Sequence, residues 1–228
     1  MKIRNLHPWD VDYKTAVAIQ ADLRGKLVLS DDGPGDIRIV AGADISCTKG
    51  DDRVYAAVVL LDAATLEVVE VACHSDRISF PYIPGLLSFR EGPSLLRAFE
   101  KLRRRPDMVL FDGQGIAHPR GFGLAAHMGL ILDLPSVGCA KTRLIGTFEE
   151  PGARRGQFSP LMRDGKQIGS VVITKDRVKP VFVSQGHRVS LERAVEIVLQ
   201  CACRYRIPEP IRRAHILVNK MRKEGYRE

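Results

Sequence analysis

"IRIVAGADISC", residues 37–47, is an apolar, partly β-branched run broken by one carboxylate, Asp44. The composition predicts a strand, and a charge inside such a strand is costly unless it is paired or bound to a cation. Two further β-rich runs, Val54 to Leu61 and Glu67 to Phe80, follow through the turn-like connectors "TKGDDR" and "DAATL", which are short enough for an antiparallel meander. Pro84 to Arg104 then reads as a helix with Leu86, Leu87, Leu95, Leu96, Phe99 and Leu102 available for packing, closed by the basic cluster Arg103 to Arg105. Past Pro106, "DMVLFDG" is a short buried strand ending in a second carboxylate, Asp112, at the carboxyl end where open α/β sheets place their sites.

The remaining segments extend this pattern. Asp10 is a candidate cap for a first helix that uses Tyr13, Val17 and Leu23 and ends near Gly25. After Asp112, "GFGLAAHMGLIL" reads as a helix and "PSVGCA" as a strand, an alternation that implies parallel additions to the sheet. A polar loop over 147–157 leads to strand-like runs at Ser159 to Arg163 and Gln167 to Thr174, then "PVFVSQGHR", then helices over Ser190 to Tyr205 and Pro210 to Lys223. The expected fold class is α/β: a mixed sheet of meander plus parallel strands flanked by helices, in one domain over 1–228.

Composition narrows the class. Hydrophobic residues make up 45% and charged residues 27%, so a disordered or fibrous chain is excluded. Thirty-five basic against 27 acidic residues give +8, and basic groups gather at Arg103 to Arg105 and along the tail from Arg204 to Arg227, where they can neutralise a nucleic-acid backbone. The five cysteines, at 47, 73, 139, 201 and 203, show no zinc spacing; those at 47, 73 and 139 read as small buried hydrophobes in a reducing compartment, and Cys201 and Cys203 as helix residues pointing to different sides. "MKIRNLHPWD" has no signal-peptide core and no stretch approaches a membrane span, so a cytoplasmic, monomeric protein is expected.

Asp44 and Asp112 are joined by Glu91, on the helix between the meander and the Asp112 strand. A meander, a crossover helix and a fourth strand parallel to the first bring the Asp44 and Asp112 strands side by side, and the covering helix can aim Glu91 at the same point. Three hard oxygen ligands suit Mg²⁺ or Mn²⁺ rather than zinc. This order of elements resembles the ribonuclease-H-like nuclease fold, in which metal ions activate water and stabilise charge on phosphorus.

The motifs make the likeness more specific. "AGADIS" around Asp44, "PYIPGLLSFRE" from Pro81 to Glu91, "FDGQGIAHPRGFGLAAHMG" from Phe111, "GCAKTRLIG" around Lys141 and "PEPIRRAH" ending at His215 resemble the endonuclease V (deoxyinosine 3′-endonuclease) family. The resemblance implies a repair endonuclease that hydrolyses the second phosphodiester bond 3′ to deoxyinosine in single- or double-stranded DNA, leaving 3′-hydroxyl and 5′-phosphate ends. It assigns Asp44, Glu91 and Asp112 to the metal, and Lys141 and His215 as further catalytic groups, His215 acting through water. Pro81, Tyr82, Ile83 and Pro84 become a DNA wedge, whose prolines limit the entropy lost when Tyr82 stacks. Gly85, Leu87, Gly113 and Ala140 become the pocket for the flipped base, His118 a support for either that pocket or Asp112, and Arg90, next to Glu91, a phosphate contact. Gln114 departs from the histidine that many members carry, which leaves its role open. Some relatives act on inosine in RNA, and a module that binds damage without cutting is a further alternative.

Overall fold

The computed structural model describes residues 1, 3–33, 35–48 and 50–226, so Arg227, at the end of the basic tail, lies outside the described residues. The apolar run around Asp44 is β1 (Ile39–Cys47), and β2 (Arg53–Asp62) and β3 (Val68–Arg77) complete the expected antiparallel meander. β4 (Met108–Phe111) lies parallel to β1 with Phe111 opposite Ala43, so the next residues along, Asp44 within β1 and Asp112 just past β4, stand side by side. β5 (Ser136–Ala140) adds parallel to β4. With the antiparallel β6 (Phe158–Arg163), β7 (Lys166–Val172) and β8 (Val181–His187), the described residues form one sheet of order β3-β2-β1-β4-β5-β8-β7-β6.

Strand residues alternate between the two faces. Ala41, Ala43, Val109 and Phe111 pack under α2 (Leu87–Glu100) and α3 (Leu124–Leu132), whereas Val40 and Leu110 pack under α4 (Leu191–Cys201) and α5 (Glu209–Glu224). Asp44 shares the parity of Val40 and so belongs to the α5 face, opposite the face that α2 covers. Gly42 sets the closeness of that packing: a Cβ there would lie 2.0 Å from the carbonyl carbon of Pro210, so only glycine lets the start of α5 rest on β1.

Several boundaries differ from the sequence reading. α1 (Tyr13–Arg24) is capped by Asp12, whose Oδ1 accepts from the Thr15 backbone N–H at 2.8 Å, rather than by Asp10; Ala16, Gln20 and Leu23 face inward and Tyr13 is exposed. α2 starts at Leu87, not Pro84, because Gly85 takes φ +80° and a turn closes from Leu86 N–H to the Ile83 carbonyl. It also ends at Glu100, short of the arginine cluster, and holds Pro93 in its interior, at the cost of one helical hydrogen bond. β3 stops at Arg77, freeing residues 78–86 as a loop, and α4 stops at Cys201, leaving Cys203 exposed beyond it. Cys139 and Cys201 are buried, but Cys47, at a strand end, and Cys73, on the edge strand, are only half-buried. No helix among the described residues is long and apolar enough to cross a membrane.

Candidate active site

Asp44 projects from within β1 and Asp112 stands just past the end of β4. One ligand atom each from Asp44, Asp112 and His215 lie within 4.8 Å of one another. His215, on α5, meets Asp44 directly rather than through water: its Nδ1 is 2.7 Å from Asp44 Oδ2. Lys141, just past β5, donates from Nζ to Asp112 Oδ2 at 2.5 Å. Burial raises the Asp44 carboxyl above its usual range, and the neighbouring Asp112 charge raises it further, against the opposing hydrogen bond from His215. Glu91 is pushed up to about 8 by burial and then by the Asp44 charge. It stands outside the tight cluster because α2 approaches from the opposite face of the sheet, yet it is near enough for both aspartates to act on it. A site of hard oxygens whose charges resist one another fits a divalent cation such as Mg²⁺ or Mn²⁺.

Beside the acids, a cavity of about 360 Å³ is lined by Gly85, Leu87, Gly113 and Ala140, the residues expected there, and by His118, together with Asp112 and Lys141. That volume is at the small end of ligand clefts, roughly 300–1,000 Å³. Tyr82, Ile83 and Pro84 form part of its rim. Tyr82 is 70% exposed, an unusual position for a large ring, while Phe80, Leu86 and Phe89 bury the base of its loop and Ile83 packs against them. The tip is therefore presented to solvent on an anchored stem.

Distant side chains hold this loop, and no motif or spacing in the residue order points to them. The Gly85 carbonyl accepts from Gln20 Nε2 at 3.0 Å and from Arg120 Nη2 at 2.5 Å, and Arg120 Nε donates to Gln20 Oε1 at 2.5 Å. Arg90 donates to the Phe80 carbonyl at 2.9 Å, so the residue expected at phosphate also ties the loop to α2. His118 accepts on Nδ1 from the Arg120 backbone N–H at 3.2 Å; burial, then the Arg120 charge, lower it to about 4, which keeps its ring neutral. Gln114 lines the same cavity, donates from Nε2 to the Thr142 carbonyl at 3.1 Å, and leaves a buried Oε1 with no hydrogen-bond partner among the described residues.

A sequence model of the endonuclease V family matches residues 21–216. The chain belongs to the endonuclease V family. Endonuclease V of Methanothrix thermoacetophila is 50% identical over 217 residues, covering 95% of each chain. The crystal structure of endonuclease V from Streptomyces avermitilis superposes with a TM-score of 0.91 at 43% identity, covering 99% of both chains. Endonuclease V of Ciona intestinalis, solved in complex with a 24mer DNA containing an inosine followed by a ribo-adenosine, superposes with a TM-score of 0.83 at 27% identity, over 94% of this chain and all of that one. The sheet is thus the ribonuclease-H-like one expected, and this endonuclease V family member is a nuclease, a hydrolase acting on DNA.

The basic groups are less concentrated at the site than the sequence suggested. Nine helical residues, about 14 Å, separate Glu91 from Glu100, so Arg103 to Arg105 stand well away from the acids. Tail arginines are partly spent on structure: Arg206 Nη2 donates to the Lys141 and Pro180 carbonyls at 2.6 Å, and Arg212 pairs with Glu209. A larger cavity, about 460 Å³, is lined by His118, Arg24, Arg163 and Lys166, but among the described residues no metal-ligating cluster adjoins it.

Proposed function

We propose that this protein is a Mg²⁺-dependent endonuclease, with Mn²⁺ as substitute, that recognises deoxyinosine in DNA and hydrolyses the second phosphodiester bond on its 3′ side, leaving 3′-hydroxyl and 5′-phosphate ends. One observation carries this reading: Asp112 and Lys141 line the same cavity as the rim residue Tyr82 and the small residues Gly85, Gly113 and Ala140. Damage recognition and phosphate chemistry share one cleft.

In this reading Asp44, Asp112 and Glu91 hold the cation, which when bound neutralises phosphate charge and makes water a better nucleophile. Glu91, whose carboxyl burial and the Asp44 charge raise to about 8, would be favoured in its ionised form by a bound cation, with its proton released to solvent. Lys141 keeps an ammonium beside Asp112, where it offsets charge that develops on phosphorus, and His215 holds Asp44 in place. Tyr82 fills the gap left by an extruded base, a step that costs a few kcal/mol of unstacking, with Pro81, Ile83 and Pro84 keeping the loop stiff.

The base then enters the pocket. Hypoxanthine offers N1–H as a donor where adenine offers an acceptor, and it lacks the 2-amino group of guanine. The unpartnered Gln114 Oε1 suits such a donor, the close walls at Gly85, Leu87, Gly113 and Ala140 disfavour the extra amine, and the neutral His118 ring adds no charge beside an uncharged base. Arg90 serves the loop first and phosphate with its remaining N–H groups. The enzyme acts as a cytoplasmic monomer of one domain, in the first step of repair after adenine deamination. An inosine-specific ribonuclease is the second reading, motivated by the ribo-adenosine that follows inosine in the Ciona complex.

The test uses end-labelled single strands carrying one deoxyinosine or adenine, with Mg²⁺ or EDTA. A cut one nucleotide beyond the lesion, only with Mg²⁺ and only in the inosine strand, is the expected result. Binding without a cut would favour a damage sensor, and faster cutting of inosine RNA would favour the second reading.

A further inference from the structure

Asn219 lies one turn beyond His215 on α5, and its hydrogen bonds determine the histidine's tautomer. The Arg222 guanidinium, which can only donate, reaches Asn219 Oδ1 at 3.1 Å, and the Ser46 hydroxyl reaches the same oxygen at 3.2 Å. The amide orientation is therefore fixed by chemistry. Asn219 Nδ2 then faces His215 Nε2 at 3.2 Å and the His215 carbonyl at 2.8 Å, with one hydrogen for each. His215 Nε2 must accept, so the ring hydrogen sits on Nδ1 and is donated to Asp44 Oδ2 at 2.7 Å. A chain of donors thus runs from Arg222 through Asn219 and His215 to the carboxylate.

We propose that Asn219 is a positioning residue that locks His215 as the Nδ1–H tautomer and, through it, turns Asp44 so that one oxygen is occupied by His215 and the other is left for a cation. His215 is then an orienting group and not a metal ligand, although one of its ring nitrogens lies within 4.8 Å of a carboxylate oxygen from each aspartate. This rests on the reading of Asp44 as a metal carboxylate. Partners that orient ligating groups are typically worth about 10–100-fold in metal affinity or activity.

The informative substitution is Asn219→Asp, which keeps the shape and the acceptor for Ser46 and Arg222 but removes the donor to Nε2. Long-range ¹H–¹⁵N spectra of the metal-free protein report which ring nitrogen of His215 carries hydrogen. The expected result is Nδ1–H in the wild type, loss of that tautomer in the variant, and about tenfold more Mg²⁺ needed for half-maximal cleavage and for half-maximal thermal stabilisation. An Nε2–H tautomer in the wild type, or an unchanged Mg²⁺ dependence in Asn219→Asp, would overturn the proposal. A wild type that is stabilised by Mg²⁺ but cuts no inosine strand would defeat the functional reading alone, and the thermal titration would still decide the role of Asn219.

Discussion

Two regions meet at Asp112, and burial acts on them with opposite sign. On β1 and α2 it raises the Asp44 and Glu91 carboxyls, so the acids gain protons where they are crowded. In the adjoining cavity it lowers His118, so that ring stays uncharged. The first region gathers three carboxylates against the lysine that pairs with Asp112, and is suited to a cation. The second is walled largely by small and apolar residues around the neutral His118 ring, and is suited to an uncharged group. In the proposed reading, reaction and recognition lie side by side and are held by different means: packed strands and α5 for the acids, a carbonyl clamp from Gln20 and Arg120 for the loop.

The largest break in this division is Asp44→Asn. It removes a charge from the cation site and leaves the cavity intact, so single-turnover cleavage of an inosine strand is expected to fall roughly a thousandfold while strand binding changes little. Tyr82→Ala attacks the other region. Loss of one stacking aromatic is worth about 1–3 kcal/mol, so kcat/KM should fall roughly tenfold to a hundredfold, with Mg²⁺ dependence unchanged. Equal loss of metal dependence in both variants would mean that the two regions act as one.

Much of this division can be read from the residue order, because its determinants are local. A carboxylate within "IRIVAGADISC", another closing "DMVLFDG", and a meander between them lead to adjacent strand ends through parallel pairing alone. "PYIP" announces a stiff loop. What escapes the sequence depends on long-range contact or on choices between equivalent neighbours. Asp10 and Asp12 are both sound caps, and only the carboxylate that reaches Thr15 N–H wins. The start of α2 is set by the positive φ of Gly85, and the partners of that glycine, Gln20 and Arg120, come from 65 and 35 residues away. The face from which Glu91 approaches follows from sheet parity once α2 is placed, and Asn219 acquires its role only because α5 lies across Gly42.

Two smaller effects sharpen the comparison. Mg²⁺ at ten times its dissociation constant should stabilise the folded protein by about 1.4 kcal/mol, which for a chain of this size raises the melting temperature by about 3–6 °C. The shift should vanish in Asp44→Asn. On the acid side of neutrality the histidines act instead. His118 and His187 are both held at about 4 in the folded protein, against 6.5 when exposed. Their contribution to stability is fully present above pH 6.5 and is lost as the pH falls from there towards 4, because the unfolded chain takes up the protons first. Glu91, held at about 8, takes up its proton in the folded protein over the same interval and works the other way, so the readout is the difference between two chains: in denaturant titrations at pH 7.5 and 5, His187→Gln should lose less stability than the wild type.

The most direct measurement is an anomalous-difference map from crystals of the wild type and of Asp44→Asn soaked in Mn²⁺. The account predicts a peak bounded by the Asp44 and Asp112 carboxylates in the wild type, and none in Asp44→Asn. An empty acid cluster, or a peak beside His118 in the cavity, would contradict it.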